Sequence, residues 1–382
     1  MSVSLKIQIC VKIDIKYIKL TLLLSFLLHS VFLFSHTVDK YKVMVKINKQ
    51  LPPELGGGVN LSLLEHTWEN PNDLLNTDIG QKLKDIKNIG FKTVRLPVAF
   101  DMFLQPNSSN LQPHLIDKLG DTYNKCRMLG LKLIITYHYG KVYYGSDNRW
   151  SERERILWMW KQIQNKFRGM GYDDVFFELY NEPTEERKAW KEDVNFLVNG
   201  LRWEDKDRYY IVGGTNYNNA DELLDLGKLQ DDKIFYTIHF YEPFLFTHQG
   251  AEWAKEKTYI TKIPYPYNKK KMPSLTSQSI GSTVEQDYTK YPAEGTKDFM
   301  ALRLRRVLDE CKKNNMPLIC TEAGVIASAD EKSRNQYLQD VTSIMQDLEI
   351  PIMLWDYDQR FSILQRPGKP LKGLKDWLKA IH

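Results

Sequence analysis

The feature that most limits what this 382-residue chain can fold into is an alternation repeated along most of its length. Eight short apolar runs fall at 56–62, 92–97, 131–137, 175–182, 208–212, 233–239, 316–322 and 350–355. Most are separated by apolar residues at helical spacing. Ile79, Leu83 and Ile86 lead to Gly90, and Leu115, Leu119, Tyr123 and Cys126 lead to Gly130. Ile156, Trp160, Ile163 and Phe167 follow a capping box of Ser151 and Glu154. Trp190, Val194, Leu197 and Leu201, then Leu304, Val307 and Cys311, then Tyr337, Val341 and Ile344 continue the series, and a last helix is expected over 374–381. Buried strands joined by helices imply a parallel sheet, and eight is the number that closes it. The expected fold is α/β, a (β/α)8 TIM barrel in a single domain, with a long irregular segment at 240–296 after strand six. An open doubly wound sheet is the alternative, but the chain lacks its G-x-G-x-x-G turn, and Gly56-Gly57-Gly58 lacks the ending of a phosphate loop.

Residues 20–34 form one apolar run, preceded by Lys12, Lys16 and Lys19 and followed by Ser35-His36-Thr37. Its length suits a secretory signal and is short for a membrane span. Residues 1–36 are therefore expected to be a signal peptide or, if left uncleaved, an N-terminal anchor, with the folded domain over 37–382. The product would be secreted or extracytoplasmic, touching a membrane only through that segment. The leader carries four Lys and one Asp, so without it the formal charge is +2 rather than +5. That removes the main support for a nucleic-acid partner. Cys126, Cys311 and Cys320 remain in the domain without metal-ligand or C-x-x-C spacing. Buried free thiols are expected, with a Cys311 to Cys320 bridge as the alternative. No cofactor is called for, and a monomer is expected.

The ends of the runs carry the chemistry. Val-Phe-Phe-Glu-Leu-Tyr-Asn-Glu-Pro, 175–183, is an apolar run halted by proline, which leaves Asn181 and Glu182 at its carboxyl tip. Pro-Leu-Ile-Cys-Thr-Glu, 317–322, repeats the plan, with Ala323-Gly324 as the breaker after Glu322. In a barrel the carboxyl tips form the catalytic face, so these two acids should meet across its mouth. Two carboxyl groups about 5–5.5 Å apart are the equipment of a retaining glycosidase, one protonating the leaving oxygen and the other attacking the anomeric carbon. Glu322 should be kept ionised by Arg95 and by a hydrogen bond from Tyr241, while Glu182 should hold its proton. The tips also carry His138, His239 and Trp355. His138 and His239 without a clustered Asp/His set do not make a metal site, and none is expected. Glu178 should share the face of Tyr180 and Glu182 but lie deeper, as a structural acid with Arg95 as a candidate partner. Trp160 and Trp190 sit on helical stripes and are expected in the core. Aromatic residues make up 12% of the chain, and the excess in 240–296 would suit a sugar-stacking cleft.

Taken together, Arg95, His138, Asn181, Glu182, His239, Tyr241, Glu322 and Trp355 resemble the functional positions of glycoside hydrolase family 5, the cellulase-type family whose catalytic acids end strands four and seven. The resemblance runs from Gly56 to Trp355. It implies that Glu182 is the acid/base and Glu322 the nucleophile, with Arg95, His138, Asn181, His239 and Tyr241 in support. Trp355, Asn60 and Trp253 are expected on the substrate. The stretch 239–253 (H-F-Y-E-P-F-L-F-T-H-Q-G-A-E-W) is similar to the endoglucanase-type branch. Three places depart from the pattern. No Arg precedes the last glycine of 56–58, Tyr217 stands where Trp is usual in 213–217, and 356–362 is bulky where small residues are common.

The activity so implied is retaining, endo-acting hydrolysis of β-1,4-glucosidic bonds in cellulose or related β-glucans, with a polysaccharide as the partner. Mannan, xyloglucan and xylan are the alternative substrates. A carbohydrate-binding barrel that had lost the reaction is the alternative of another class.

Overall fold

The computed structural model describes residues 54–138 and 149–381. The leader expected over 1–36 lies outside the described residues. Eight strands close into one parallel barrel in chain order. They are β1 (Gly58–Asn60), β2 (Thr93–Val98), β3 (Lys132–Tyr137), β4 (Val175–Glu178), β5 (Tyr210–Gly213), β6 (Ile234–His239), β7 (Leu318–Ala323) and β8 (Ile352–Leu354). All eight fall within or next to the apolar runs. A small antiparallel pair, β9 (Leu364–Arg366) and β10 (Lys369–Pro370), follows β8. Among the described residues no helix is long and apolar enough to cross a membrane.

Two cores result from the alternation of side chains along each strand. Ile134, Phe176, Ile211, Phe235, Ile319 and Met353 pack inside the barrel, whereas the outward-facing side chains pack against the helices. Trp160 and Trp190 are buried in that outer layer, and their indole N–H groups donate to the carbonyls of Leu179 at 3.0 Å and Gly213 at 2.9 Å. The two bulkiest core rings thus fasten the tips of β4 and β5. Cys126, Cys311 and Cys320 are buried free thiols.

Three local expectations are corrected. The helix Arg149–Lys166 is already running at Arg149, so Ser151 and Glu154 lie inside its first turns and form no capping box. The segment 240–296 is not irregular throughout, for it contains the helix Thr283–Glu294. Only Val284 and Tyr291 of that helix are buried and Pro292 interrupts it, so no apolar stripe marks it in the sequence. Third, β4 ends at Glu178 and the alternation breaks there. Glu178 points inward, but Tyr180 packs on Trp190 and Tyr137 in the outer layer, with ring centroids 5.5 and 5.4 Å away. Once the ladder stops, the chain is no longer held to period two. Asn181 turns back inward and Glu182 takes a left-handed φ of 50°.

Candidate active site

All the strand-tip residues converge on one end of the barrel, and Arg95 is the hub. Its side chain is fully buried, and each of its five N–H donors has an acceptor. Nε and Nη2 grip both oxygens of Glu178 at 2.7 and 2.8 Å, and Nη2 also reaches Asn181 Oδ1 at 2.7 Å. Nη1 donates to Asn60 Oδ1 at 2.8 Å and to Glu322 Oε1 at 2.7 Å. One cation thus joins the deep acid Glu178 to the mouth acid Glu322. Burial disfavours its charge, but Glu178 and then Glu322 more than offset this, and the guanidinium is held above its ordinary range.

Asn60 is corrected by the same network. It was expected on the substrate, but it is fully buried and its Nδ2 donates to the carbonyls of Thr321 and Leu354 at 3.0 and 3.2 Å. With Oδ1 accepting from Arg95, the amide is spent on tying β1 to β7 and β8.

Glu322 is positioned by irregular pairing on both sides of β7. The register shifts between Ile238 and His239 on one side and between Cys320 and Ala323 on the other. Such shifts re-aim side chains at barrel rims. His239 is thereby set opposite Glu322, whose Oε2 accepts from the Tyr241 hydroxyl at 2.7 Å. Burial leaves the Glu322 carboxyl above its ordinary range, with Glu182 adding to the rise, while His239, Arg95 and the Tyr241 bond restrain it. Burial, and next Glu322 itself, hold the Tyr241 phenol well above its usual range, so Tyr241 donates.

Glu182 is placed differently. Its side chain keeps 30% of its surface open, and His239 Nδ1 lies 2.7 Å from its Oε1. Burial pushes its carboxyl up to about 7, with Arg95 restraining and Glu178 adding to the shift. His239 is buried and held down to about 4, chiefly by burial, and Asn218 Nδ2 stands 3.1 Å from its Nε2. Burial raises both acids, but they differ in their donors: Glu322 accepts from Arg95 and Tyr241, whereas Glu182 has His239 beside it.

Ligating atoms of Glu182, His239 and Glu322 lie within 4.8 Å of one another. One carboxyl oxygen of Glu182 thus comes within 4.8 Å of one of Glu322. The same atoms could be read as a cation site, but the fixed guanidinium charge 2.7 Å from Glu322 opposes a second cation there.

The remaining expected residues frame the cleft. The His138 ring lies parallel to Trp355 at 5.9 Å, with Nε2 4.0 Å from Glu322 Oε1. Burial, then Arg95 and His239, keep His138 neutral. Trp253 is half exposed, with the Arg360 guanidinium 4.9 Å from its ring centre. Phe361 connects it to Tyr241, with centroids 6.1 and 5.8 Å apart.

Several site residues went unread in the sequence. Asn218 directly follows the 213–217 departure. Beyond β1, buried Glu65 accepts from the Ser62 hydroxyl and neighbours His66, on which exposed Trp68 stacks at 4.6 Å. Burial pushes Glu65 up to about 8. Asp356 receives the backbone N–H groups of Gln359 and Phe361 and so folds the loop after β8. A Glu three residues after Ser62 is the kind of local signal that could have been caught; the burial of Asp356 had none.

The cellulase model of glycosyl hydrolase family 5 matches residues 54–360. Endoglucanase C of Acetivibrio thermocellus is 28% identical over 304 residues, spanning 75% of this chain and 87% of that protein. Endoglucanase 3 of Fibrobacter succinogenes is 27% identical over 318 residues, spanning 76% of this chain and 48% of that protein. Among solved structures, endoglucanase Cel5A from the hyperthermophilic Thermotoga maritima has the same fold, with a TM-score of 0.70 at 23% identity over 86% of this chain and 97% of that one. With paired carboxyls at the mouth of its barrel and a family match over most of its length, the chain belongs to the cellulase family, glycosyl hydrolase family 5, and is a glycosidase.

Proposed function

We propose that the protein is an exported, retaining endo-β-1,4-glucanase acting on cellulose or related β-glucans, with Glu322 as nucleophile and Glu182 as acid/base. The observation that carries this reading is the approach of the Glu182 and Glu322 oxygens to within 4.8 Å at one end of the barrel. Glu322, held by Arg95 and Tyr241, attacks the anomeric carbon, while Glu182 protonates the departing glycosidic oxygen. Once Glu322 is esterified its charge is gone, and Glu182 ionises more readily. It can then take a proton from the water that releases the sugar. Asn181 has its oxygen fixed by Arg95, which turns its N–H donors away from the arginine and suits them to a sugar hydroxyl. Trp355 and Trp253 offer stacking faces, and residues 37–382 form one catalytic domain, working as a monomer. The endoglucanase names of the sequence relatives support a glucan substrate.

Glu182→Ala and Glu322→Ala are each expected to lose at least about 10³-fold in turnover of a soluble cellulose derivative, with azide restoring part of the activity as a glycosyl azide. Near-normal turnover in either variant rejects the assignment. Reducing-sugar release from β-glucan, mannan, xyloglucan and xylan ranks the substrates, and cleavage of mannan alone would replace the glucan reading.

A further inference from the structure

Three consecutive residues after β5, Asn216, Tyr217 and Asn218, adopt left-handed backbone, with φ of 52°, 63° and 54°. Non-glycine residues avoid this region, and asparagine tolerates it best. The loop is held from outside, because the Tyr217 N–H donates to the carbonyl of Pro183 at 3.3 Å, next to Glu182. The result is the delivery of one buried amide. Asn218 has no exposed surface, and a Cβ on Gly213 would lie only 2.1 Å from its Oδ1. Its Nδ2 stands 3.1 Å from His239 Nε2.

The other ring nitrogen of His239 lies between two carboxyl oxygens, 2.7 Å from Glu182 Oε1 and 3.5 Å from Glu322 Oε2. A nitrogen so placed carries the ring proton, and a neutral ring then presents a lone pair at Nε2, which a donor must meet. The charged and titratable groups around this pair are Arg95, Glu178, Glu322, Tyr241 and His138. Burial and Arg95 oppose a second ring proton, whereas Glu322 and Glu178 favour one. The amide tips that balance.

Resting on the acid/base role of Glu182, we propose that Asn218 is a positioning residue acting through His239. By donating to Nε2 it holds the ring neutral with its proton on Nδ1. Glu182 Oε1 is then committed as an acceptor, and the acidic proton resides on Oε2, the oxygen left for the glycosidic linkage. In the opposite tautomer Nδ1 would draw that proton away from the substrate.

Asn218→Asp keeps the shape but replaces the donor with an acceptor, which calls a proton to Nε2 and makes His239 an imidazolium beside Glu182. The Glu182 pKa then falls, so the alkaline limb of kcat/KM is expected to move about one pH unit lower. With cello-oligosaccharides kcat/KM should fall about 30-fold, since the leaving group needs the acid. With dinitrophenyl cellobioside, whose leaving group needs no proton, it should change less than about 3-fold. Asn218→Gly, compatible with the backbone, should shift both readouts in the same direction by less. Nitrogen-15 NMR of the His239 ring in the native enzyme should show the proton on Nδ1. Equal losses on both substrates, an unmoved alkaline limb in a folded Asp variant, or a proton on Nε2 in the native ring would overturn the proposal. Native enzyme that cleaves neither substrate would instead remove the Glu182 assignment beneath it.

Discussion

Replacing Arg95 by methionine tests the hub on which the site is built. Methionine fills most of the volume but withdraws the one cation shared by Glu178 and Glu322, whose side chains are 0% and 5% exposed. Adding five charge-assisted hydrogen bonds would overstate the loss, because the desolvation of the guanidinium is recovered. Breaking a buried ion pair from one side costs about 3–5 kcal/mol. At roughly 2 °C per kcal/mol for a domain of this size, Tm at pH 7.5 should fall by about 6–10 °C. The pH dependence has a definite sign. Buried carboxylates without a partner have folded pKa values above the unfolded ones, so the variant loses stability as pH rises through the carboxylate range. Its deficit against the native protein should therefore shrink at about pH 5. Arg95→Lys keeps the charge but cannot span Glu178 and Glu322 with one nitrogen, and should fall between. Differential scanning calorimetry at the two pH values, paired with turnover of a soluble cellulose derivative, makes the measurement. Turnover should drop at least about 10²-fold, because the Glu322 and Asn181 supports are both gone. A Tm loss under about 2 °C at pH 7.5, or a deficit that grows on acidification, would refute the reasoning.

Two further outcomes follow from particular contacts. In the proposed role Glu182 serves as an acid only while protonated, and burial pushes its carboxyl up to about 7, so kcat/KM should decline as pH rises through about 7. An alkaline limb centred above about 9 in the native enzyme would contradict that environment. Gly324→Ala would place a Cβ 2.0 Å from the Trp355 carbonyl oxygen, a backbone atom that cannot swing aside. It should cost about 1–3 kcal/mol and raise KM by displacing Trp355 relative to Glu322; an unchanged Tm and KM would show that this junction yields.

Much of the barrel was legible because its evidence is local. Each strand is an apolar run and each major helix an apolar stripe, and both periods follow from backbone geometry alone. The helix Thr283–Glu294 escaped because it buries only two residues, which removes the stripe. The candidate acids were legible as residues at or just past strand ends, for Pro183 and the Ala323-Gly324 pair break the two apolar runs, although the β4 ladder itself already stops at Glu178. Asn60 was misread because an asparagine at a strand tip looks the same whether its amide meets a sugar or three groups of its own protein.

The amino-acid order thus determined which residues fall at or just beyond the carboxyl ends of the strands, since apolar runs and breakers are written residue by residue. It did not determine where each ladder stops, as β4 ending at Glu178 shows. Tertiary structure alone decided what each one touches. The inward turn of Asn181, the shifts flanking β7, the five-way grip of Arg95 and the approach of Asn218 to His239 all depend on how distant strands are registered. Proton affinities belong to that second class as well. Glu182 and Glu322 are the same side chain, and only unequal enclosure and unequal donors set them apart.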